Sequence, residues 1–421
     1  MIYTKTSKCR ICASSNLETI LDLGQQYLTG MFPAAGQTVE KGPLELVKCS
    51  ECHLVQMAHS YDMSQLYGEN YGYRSGLNAS MVEHLKQKVK TISRLVEFKK
   101  DDLVVDIGSN DGTTLGHYED RKCTFVGIDP SGSKFKKYYK PDVQLIPDFF
   151  SSKLIQDKFP GKKAKVVTSI AMFYDLENPI QFAKEIASIL DENGVWVFEQ
   201  SYLPLMIETL AYDTVCHEHL EYYGLHQVQK ILEAANLKII EVELNDVNGG
   251  SFSITAGANS NKTMKSSEKV AVLLEKEKKE GYLGMDLYKK YAKDVFKHRD
   301  ELKSVVREIR DAGQTIHAYG ASTKGNVILQ FCGFGTKDIA AVAEVNEDKF
   351  GKFTPGTQIP IISEADSKAK KPNYYLVMPW HFKKNILSRE KKYILEQNGK
   401  FIFPLPHIHV VSKDNLNEHL G

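Results

Sequence analysis

The sequence predicts an α/β fold made of a small cysteine-bearing module followed by two larger α/β units. From residue 102 onward, short runs rich in β-branched residues alternate with helical stretches, as in βαβ units around a mostly parallel sheet. The first 70 residues lack a long periodic helix and contain four of the seven cysteines. A chain of 421 residues has room for these parts, since a domain takes roughly 100–200 residues.

The predicted elements follow one another in a regular order, beginning with an amphipathic helix over 80–97. The strands of the first unit are predicted at 102–108, 124–129, 143–147, 165–170, 194–200, 237–244 and 251–257, the last two as an antiparallel hairpin. A Lys- and Glu-rich helical stretch spans 262–312, and further strands follow at 314–320, 339–345, 373–379 and 400–406. We expect the parts to span residues 1–70, 71–260, 261–312 and 313–421.

Composition excludes several classes of protein. The chain is 42% hydrophobic and 25% charged, which is ordinary for a soluble globular protein. Lys plus Arg number 54 and Asp plus Glu 53, so there is no basic surplus for nucleic acid or an anionic membrane. The sequence shows neither a long apolar stretch nor a secretory signal. We therefore expect a cytoplasmic protein with no nucleic-acid and no membrane partner.

Four cysteines form two C-x2-C pairs, Cys9 with Cys12 and Cys49 with Cys52. Each pair can chelate from one tight turn, and two pairs make a tetrahedral thiolate cage for Zn²⁺. The alternative is four ordinary buried thiols, which two such pairs in one short segment disfavour. Because four thiolates leave no open coordination position, the sequence predicts a structural zinc ion.

A glycine-rich run, VVDIGSNDGTT (104–114), follows a predicted strand and should open a helix. Gly108 and Gly112 allow a tight turn beside a ligand. The order D-x-G-x-x-x-G is one residue off the dinucleotide fingerprint, and the carboxylates of Asp106 and Asp111 would repel a pyrophosphate. A cationic ligand that carries a ribose fits this loop better.

Acidic residues also end the next two strands. Asp129 lies 23 residues after Asp106, where an acid can accept both hydroxyls of a ribose. Asp148 and Phe149 close the third strand and could hold an adenine. This succession resembles the class I S-adenosylmethionine (SAM) methyltransferases, with a nicotinamide enzyme as the alternative. The resemblance implies SAM binding by Asp106, Gly108, Asn110, Gly112, Asp129, Asp148, Phe149 and Tyr71.

The segment 214–223 packs two imidazoles, two carboxylates and two phenols into ten residues. Histidine titrates near neutrality and suits proton abstraction at pH 7. A His-x-His metal site is one alternative, but no third ligand is evident nearby. A solvated loop is the other alternative, and we expect catalysis.

Further motifs complete the pattern. After the cysteines and VVDIGSNDG come SIAMFYDLENP (169–179), DTVCHEHLEYY (213–223), NGGS (248–251), AYGASTKGN (318–326), KFTPGTQIPI (352–361) and LVMPWHF (376–382). Over nearly its full length the chain resembles the zinc-containing, SAM-dependent sugar C-methyltransferases of deoxysugar biosynthesis. The resemblance implies a zinc-binding N-terminal module, a central class I SAM methyltransferase (Rossmann-like) domain and a second Rossmann-like domain that helps to hold a nucleotide sugar.

The resemblance also implies a reaction, methyl transfer to C3 of an NDP-4-keto-6-deoxyhexose for lipopolysaccharide, capsule or antibiotic biosynthesis. The ketone acidifies the adjacent C–H, a base removes the proton, and the enolate attacks the methyl group. The family's base matches His219, with Glu218 beside it and His217 as a second candidate. Tyr73, and less directly Tyr71, match the aromatic segment of the sugar pocket, where a phenol could stabilise the enolate oxygen.

The chain departs from the family pattern at two positions. Some members have a Tyr where Cys216 stands, and some have a His where Met172 stands. Tyr174 or Tyr222 could then donate to the enolate oxygen, and a related ketone becomes an alternative acceptor.

The loop 320–326 of the C-terminal unit is a candidate diphosphate site, because it follows a strand, opens a helix and carries Lys324. The residues expected at the substrate are Tyr174, Asn248, Ser322, Lys324, Asn326, Glu344 and Trp380.

Two rival functions remain beside the methyltransferase. The first is a non-catalytic nucleotide-sugar-binding protein, against which His219, Gly108 and Asp129 argue. The second is a dehydrogenase that uses the C-terminal unit, but GASTKGN lacks the three-glycine spacing. We expect a nucleotide-linked 4-keto-deoxysugar as the partner and a monomer or weak homodimer as the assembly.

Overall fold

The computed structural model describes residues 2–62, 66, 73–119 and 122–420. Its strands are β1 (Tyr3–Lys5), β2 (Leu17–Tyr27), β3 (Lys41–Cys49), β4 (Val55–Met57), β5 (His59–Tyr61), β6 (Leu103–Ile107), β7 (Thr124–Ile128), β8 (Val143–Ile146), β9 (Ala164–Ile170), β10 (Leu190–Ser201), β11 (Glu221–Tyr222), β12 (Leu237–Asn245), β13 (Ser251–Ala258), β14 (Ile316–Tyr319), β15 (Val342–Glu344), β16 (Ile361–Ser363), β17 (Tyr374–Val377), β18 (Lys400–Phe403) and β19 (His409–Val411). Its helices are α1 (Ala79–Leu95), α2 (Thr113–Gly116), α3 (Gly132–Phe135), α4 (Ser152–Lys158), α5 (Pro179–Ile189), α6 (Leu203–Glu208), α7 (Leu225–Ala234), α8 (Glu268–Lys279), α9 (Asp286–Asp311), α10 (Thr323–Cys332), α11 (Glu364–Ala369), α12 (Lys383–Gln397) and α13 (Leu416–Leu420).

The central sheet confirms the α/β prediction. Its strands lie in the order β12-β13-β10-β9-β6-β7-β8. The strands from β6 to β10 are parallel, and β12 with β13 adds the predicted antiparallel hairpin. Every residue of β6 is buried, as expected for a parallel strand covered on both faces. The carboxyl ends of these parallel strands therefore meet along one edge of the sheet.

The C-terminal unit is built on a second sheet, in the order β16-β15-β14-β17-β18-β19. All its pairs are parallel except that of β18 with β19. The loop 320–326 joins β14 to α10, so it lies at the carboxyl edge of this sheet.

Two helices occupy most of the predicted helical stretch 262–312. A glycine-bearing turn separates α8 from α9, because Gly281 adopts a positive φ of 84° that an L-residue disfavours. The buried residues of α9 recur at helical spacing: Tyr288, Tyr291, Val295, His298, Leu302 and Val306. Among the described parts of the chain, no helix is both long and apolar enough to cross a membrane.

The segment carrying the His-Glu-His motif leaves the central sheet and joins the N-terminal module. Its strand β11 pairs antiparallel with β4 in a four-stranded sheet of order β11-β4-β3-β2. The buried side chains of Tyr212, Val215 and Cys216 belong to one apolar cluster with residues of the N-terminal module, α9 and the C-terminal sheet. The motif is therefore held where all the parts of the protein meet.

Candidate active site

A cavity of about 460 Å³ opens along the carboxyl edge of the central sheet. Residues at the ends of five neighbouring strands line it, among them Gly108 after β6, Asp129 after β7, Asp148 after β8 and Met172 after β9. Gln200 near the end of β10 completes the row. The strand order therefore spreads the predicted loops along one continuous pocket.

The glycine loop turns tightly, as the sequence predicted. Gly108 and Gly112 have positive φ values of 71° and 75°. A Cβ at Gly108 would come within 3.0 Å of Met172. The backbone N–H of Asn110 donates to Asp129 Oδ2 at 2.7 Å, which fixes the loop against the acid after β7. Burial raises the pKa of Asp106 to about 7.

Asn110 and Asp111 hold the chain segment before α1 over this loop. The N–H of Ser75 donates to Asn110 Oδ1 at 2.9 Å, and Asn110 Nδ2 donates to the carbonyl of Tyr73 at 3.1 Å. The N–H of Gly76 donates to Asp111 Oδ2 at 3.0 Å. These bonds place Tyr73 at the wall of the cavity. Tyr71, the other phenol singled out, lies outside the described residues.

The four predicted thiols lie together. Cys9 Sγ is 3.3 Å from Cys52 Sγ, and Cys12 Sγ is 3.5 Å from Cys49 Sγ. All four sulfur atoms lie within 4.8 Å of one another. A hydrogen bond from Cys52 lowers the pKa of Cys9 to about 5, so this thiol is poised to act as a thiolate ligand.

His219 is held as a neutral ring in one tautomer. Its Nδ1 lies 2.9 Å from the carbonyl oxygen of Thr214, which can only accept, so Nδ1 carries the proton. Burial, together with the charge of Lys324, lowers the pKa of His219 to about 3. The ring of Tyr174 packs on the imidazole, with 4.3 Å between the ring centroids. The ring is therefore neutral at neutral pH, with its lone pair on Nε2.

His219 lies outside the wall of the large cavity. It lines a neighbouring cavity of about 10 Å³ with Tyr174, Ser201 and Tyr222. The hydroxyl of Tyr222 donates to the carbonyl of Thr214 at 3.2 Å, the same oxygen that receives His219 Nδ1–H.

The neighbours of His219 are placed differently. His217 is fully buried; its Nδ1 accepts from the N–H of Thr29 at 3.3 Å and its Nε2 donates to the carbonyl of Gly42 at 3.4 Å. Glu218 packs against Gly30, and its Oε2 has no partner in the described part of the chain. Burial raises the pKa of Glu218. His217 thus serves packing in this structure, whereas Glu218 keeps a free acceptor.

Two of the predicted substrate residues of the C-terminal unit, Lys324 and Trp380, lie at the His-Glu-His segment. Lys324 Nζ donates to the carbonyl of Asn248 at 2.8 Å. Trp380 Nε1 donates to Asp213 Oδ2 at 2.8 Å, while Asp213 Oδ1 is buried without a partner among the described residues. The positive charge of Lys324 acts on two neighbouring groups. It opposes the rise that burial causes in the pKa of Asp213, and it lowers the pKa of His219.

The other three predicted residues of the C-terminal unit bind the protein's own atoms. Ser322 Oγ accepts from the N–H of Gly325 at 3.0 Å and caps α10. Asn326 Nδ2 donates to the carbonyl of Thr29 at 2.7 Å. The carboxylate of Glu344 accepts from three backbone amides, those of Ala321, Val345 and Asn346.

Comparison with known proteins gives matches along most of the chain. A zinc binding domain matches residues 9–67, a methyltransferase domain residues 81–242, and the C-methyltransferase C-terminal domain residues 246–406. The C-methyltransferase NovU of Streptomyces niveus is 28% identical over 421 residues, covering 98% of this chain and 99% of NovU.

The protein is a SAM-dependent C-methyltransferase with a zinc binding domain.

Solved structures resemble part of the enzyme. A complex of the Haloferax volcanii Trm112 methyltransferase activator with a methyltransferase covers 43% of this chain and 94% of that chain, at 16% identity and a TM-score of 0.34. The mitomycin 7-O-methyltransferase MmcR covers 43% of this chain and 55% of its own, at 11% identity and a TM-score of 0.34.

The enzyme uses SAM, and the large cavity fits it. The volume of about 460 Å³ lies within the range of ordinary cofactor pockets. Asp129, Asp148 and Asp175 line the wall, so the pocket favours a cation such as a sulfonium. Phe149 is 49% exposed and offers an open aromatic face beside Asp148.

The cysteine cluster fits zinc. A tetrahedral Zn²⁺ with Zn–S bonds of about 2.3 Å separates its sulfur ligands by about 3.8 Å. The Sγ–Sγ distances of 3.3 and 3.5 Å in the Cys9–Cys52 and Cys12–Cys49 pairs, and the limit of 4.8 Å for all four sulfur atoms, differ little from this separation. The ion is therefore structural in this enzyme, with all four positions filled by thiolates.

Sequence reasoning missed two residues of this region. Gln200 ends a predicted strand at the carboxyl edge, where α/β sheets bind ligands, and this position could have drawn attention. Asp213 opens the motif DTVCHEHLEYY. Its pairing with Trp380, 167 positions later, has no sequence signal.

We expect the stability contributed by His217 to depend on pH. Burial lowers its pKa from 6.5 to about 4, so between these values the unfolded chain binds a proton that the folded enzyme does not. Stability from this residue is therefore full above pH 6.5 and is lost as the pH falls towards 4, by about 3 kcal/mol in total. His217→Gln removes the titrating ring, so the melting-temperature gap between wild type and variant should narrow from pH 7.5 to pH 4.5.

Other titrating groups are common to both proteins and cancel in this difference. A gap that stays constant across the range would mean that His217 titrates alike in the folded and unfolded states.

Proposed function

We propose that the enzyme methylates C3 of an NDP-4-keto-6-deoxyhexose through an enolate. The observation that carries the proposal is the neutral His219, whose Nδ1 proton is held by Thr214 and whose Nε2 is left as a base. A ketone lowers the pKa of its α C–H groups, so an imidazole can remove a proton from them. SAM supplies an electrophilic methyl group and leaves as S-adenosylhomocysteine.

In this proposal His219 and the residues near it have separate roles. Nε2 of His219 takes the C3 proton, and the unpartnered Oε2 of Glu218 orients a sugar hydroxyl. Tyr222 acts through Thr214, since its hydroxyl shares the carbonyl that holds His219. Tyr73 faces the bound cofactor and sugar from the segment before α1.

The charge at the domain junction supports a nucleotide-linked substrate. Lys324 lies beside Asn248 and near His219; burial lowers its pKa, and a diphosphate bound there would favour its charged form. Trp380 is buried at the same junction, where its Nε1 binds Asp213 at 2.8 Å, and we place it at the border of the nucleotide. Glu344 holds the loop 320–326 in shape through Ala321, so we place it behind the diphosphate.

Mass spectrometry of sugar nucleotides tests the proposal. The enzyme and SAM are incubated with GDP-, dTDP- and CDP-4-keto-6-deoxyhexoses made in situ, and we expect one of them to gain a single methyl group. NMR of the product then assigns the carbon, because both C3 and C5 lie beside the ketone. Methylation at C5 would overturn the assigned position, and no gain with SAM bound would point to another ketone as the acceptor.

A further inference from the structure

Gln200 is a buried polar side chain that binds no other described residue. Its side chain is 1% exposed, yet neither Oε1 nor Nε2 has a hydrogen-bond partner in the described part of the structure. Burying an unpaired amide destabilises a folded protein, because its hydrogen bonds to water are lost without replacement. Such a group calls for a partner, either a water molecule or a ligand, and Gln200 lines the large cavity.

The strand order indicates which ligand Gln200 meets. Across the sheet, β8 is followed by Asp148 and Phe149, expected at adenine, β7 by the acid expected at ribose, and β6 by the glycine loop. The row continues through β9 to β10, which places Gln200 at the end opposite Asp148. Asn248, bound by Lys324, lies at this same end of the cavity. An extended cofactor would therefore have its adenine far from Gln200 and its reactive end near it.

The phenol of Tyr222 near His219 is already engaged. Its hydroxyl donates to the carbonyl of Thr214 at 3.2 Å. Cys216, where some related enzymes have a tyrosine, is buried, and burial raises its pKa well above the ordinary thiol value. Gln200, in contrast, has no acceptor for its amide hydrogens in the described ranges, and amide side chains are effective donors to a developing oxyanion.

We propose that the side-chain amide of Gln200 donates a hydrogen bond to the ketone oxygen of the methyl acceptor and stabilises the enolate. This inference rests on the proposed function. Removing the α-proton leaves its electron pair delocalised on to that oxygen, and Gln200 Nε2–H stabilises the charge without transferring a proton. Because an amide does not titrate, the donor works at any pH at which His219 is neutral.

Gln200→Met tests this role, since methionine has a similar shape and no hydrogen-bond donor. We expect kcat to fall by about 10²-fold, the usual effect of removing one oxyanion donor. Exchange of the acceptor's α-proton in D2O, with S-adenosylhomocysteine bound, should slow to a similar extent. The Kd for SAM should be unchanged, and the Tm should hold or rise because an unpaired buried amide has been removed.

Gln26→Met is the matched control. Gln26 is also buried, at 2% exposure, with both side-chain atoms unpartnered among the described residues, but it lies on β2 away from the cavity. We expect it to hold or raise the Tm without lowering kcat. If both variants lose activity equally, the effect of Gln200→Met is structural and the inference is wrong.

The pH dependence of turnover in Gln200→Glu distinguishes a hydrogen-bond donor from a residue that only packs. The ionised carboxylate presents only acceptors to the enolate, so turnover should be lower than in Gln200→Met at pH 8. Turnover should recover partly at lower pH, where the protonated carboxyl donates, and the wild type should lack this recovery.

The outcomes separate this inference from the proposed function. The wild-type reaction with the sugar panel decides the function alone. A much weaker Kd for SAM in Gln200→Met would show that the amide binds the cofactor, and this result overturns the inference whatever the acceptor. If Gln200→Met leaves the Kd for SAM unchanged and the Tm unchanged or higher, the result supports placing the Gln200 amide beside the methyl acceptor.

Discussion

His219→Asn is expected to lower kcat by about 10³-fold while SAM still binds. The asparagine amide can keep a hydrogen bond to the Thr214 carbonyl, which His219 Nδ1–H now makes at 2.9 Å. It cannot reproduce Nε2, so the variant loses the proton acceptor and little else. The cofactor cavity does not include His219 in its wall, and the Kd for SAM should therefore stay at the wild-type value.

Two measurements distinguish the loss of a base from a damaged fold. Isothermal titration gives the Kd for SAM, and NMR in D2O gives the rate at which the acceptor exchanges its α-proton. We expect exchange to disappear in His219→Asn and to persist in the matched variant His407→Asn, which changes an exposed ring. Near-normal turnover in His219→Asn would reject the assignment of the base.

The features that the sequence predicted well are local ones. The parallel strands are marked by runs of β-branched residues. The turn at Gly108 requires a positive φ whatever the rest of the fold is. The four thiols were predictable because two C-x2-C pairs suit one ion. Each of these signals lies within a few consecutive residues or, for the thiols, in a C-x2-C spacing that occurs twice.

The features that could not be predicted depend on distant partners. Strand β11 pairs with β4, which is more than 160 residues earlier in the chain, and no pattern in either strand indicates this. Glu344 ends its strand as predicted, but three backbone amides take up its carboxylate. The importance of Gln200 lies in what is missing around it, and only the folded structure shows that.

Removing the zinc ion should abolish turnover by releasing the segment that carries His219, while the SAM cavity stays formed. Arg10 lies inside the first chelate loop, and its guanidinium donates to the carbonyl of Met57 at 2.8 Å and lies 3.6 Å from Glu221. Glu221 begins β11, two residues after His219. The binding of a structural zinc ion contributes on the order of 10 kcal/mol to folding, so its loss should disorder this sheet.

Cys49→Ser and chelation of the wild type test this coupling. Hydrogen exchange should show lost protection in β3, β4 and β11, with protection retained in β6 and β7. The Kd for SAM should change little, because Gly108 and Asp129 belong to the central sheet.

Exchange of zinc for Co²⁺ distinguishes a structural ion from a catalytic one. Four thiolates should give the absorption of a tetrahedral cobalt–sulfur centre, and kcat should equal that of the zinc enzyme because the ion touches no reacting atom. A kcat that changes with the metal would place the ion in the chemistry. A zinc-free protein that keeps β4 and β11 protected and stays active would show that Arg10 and the sheet hold His219 without the metal.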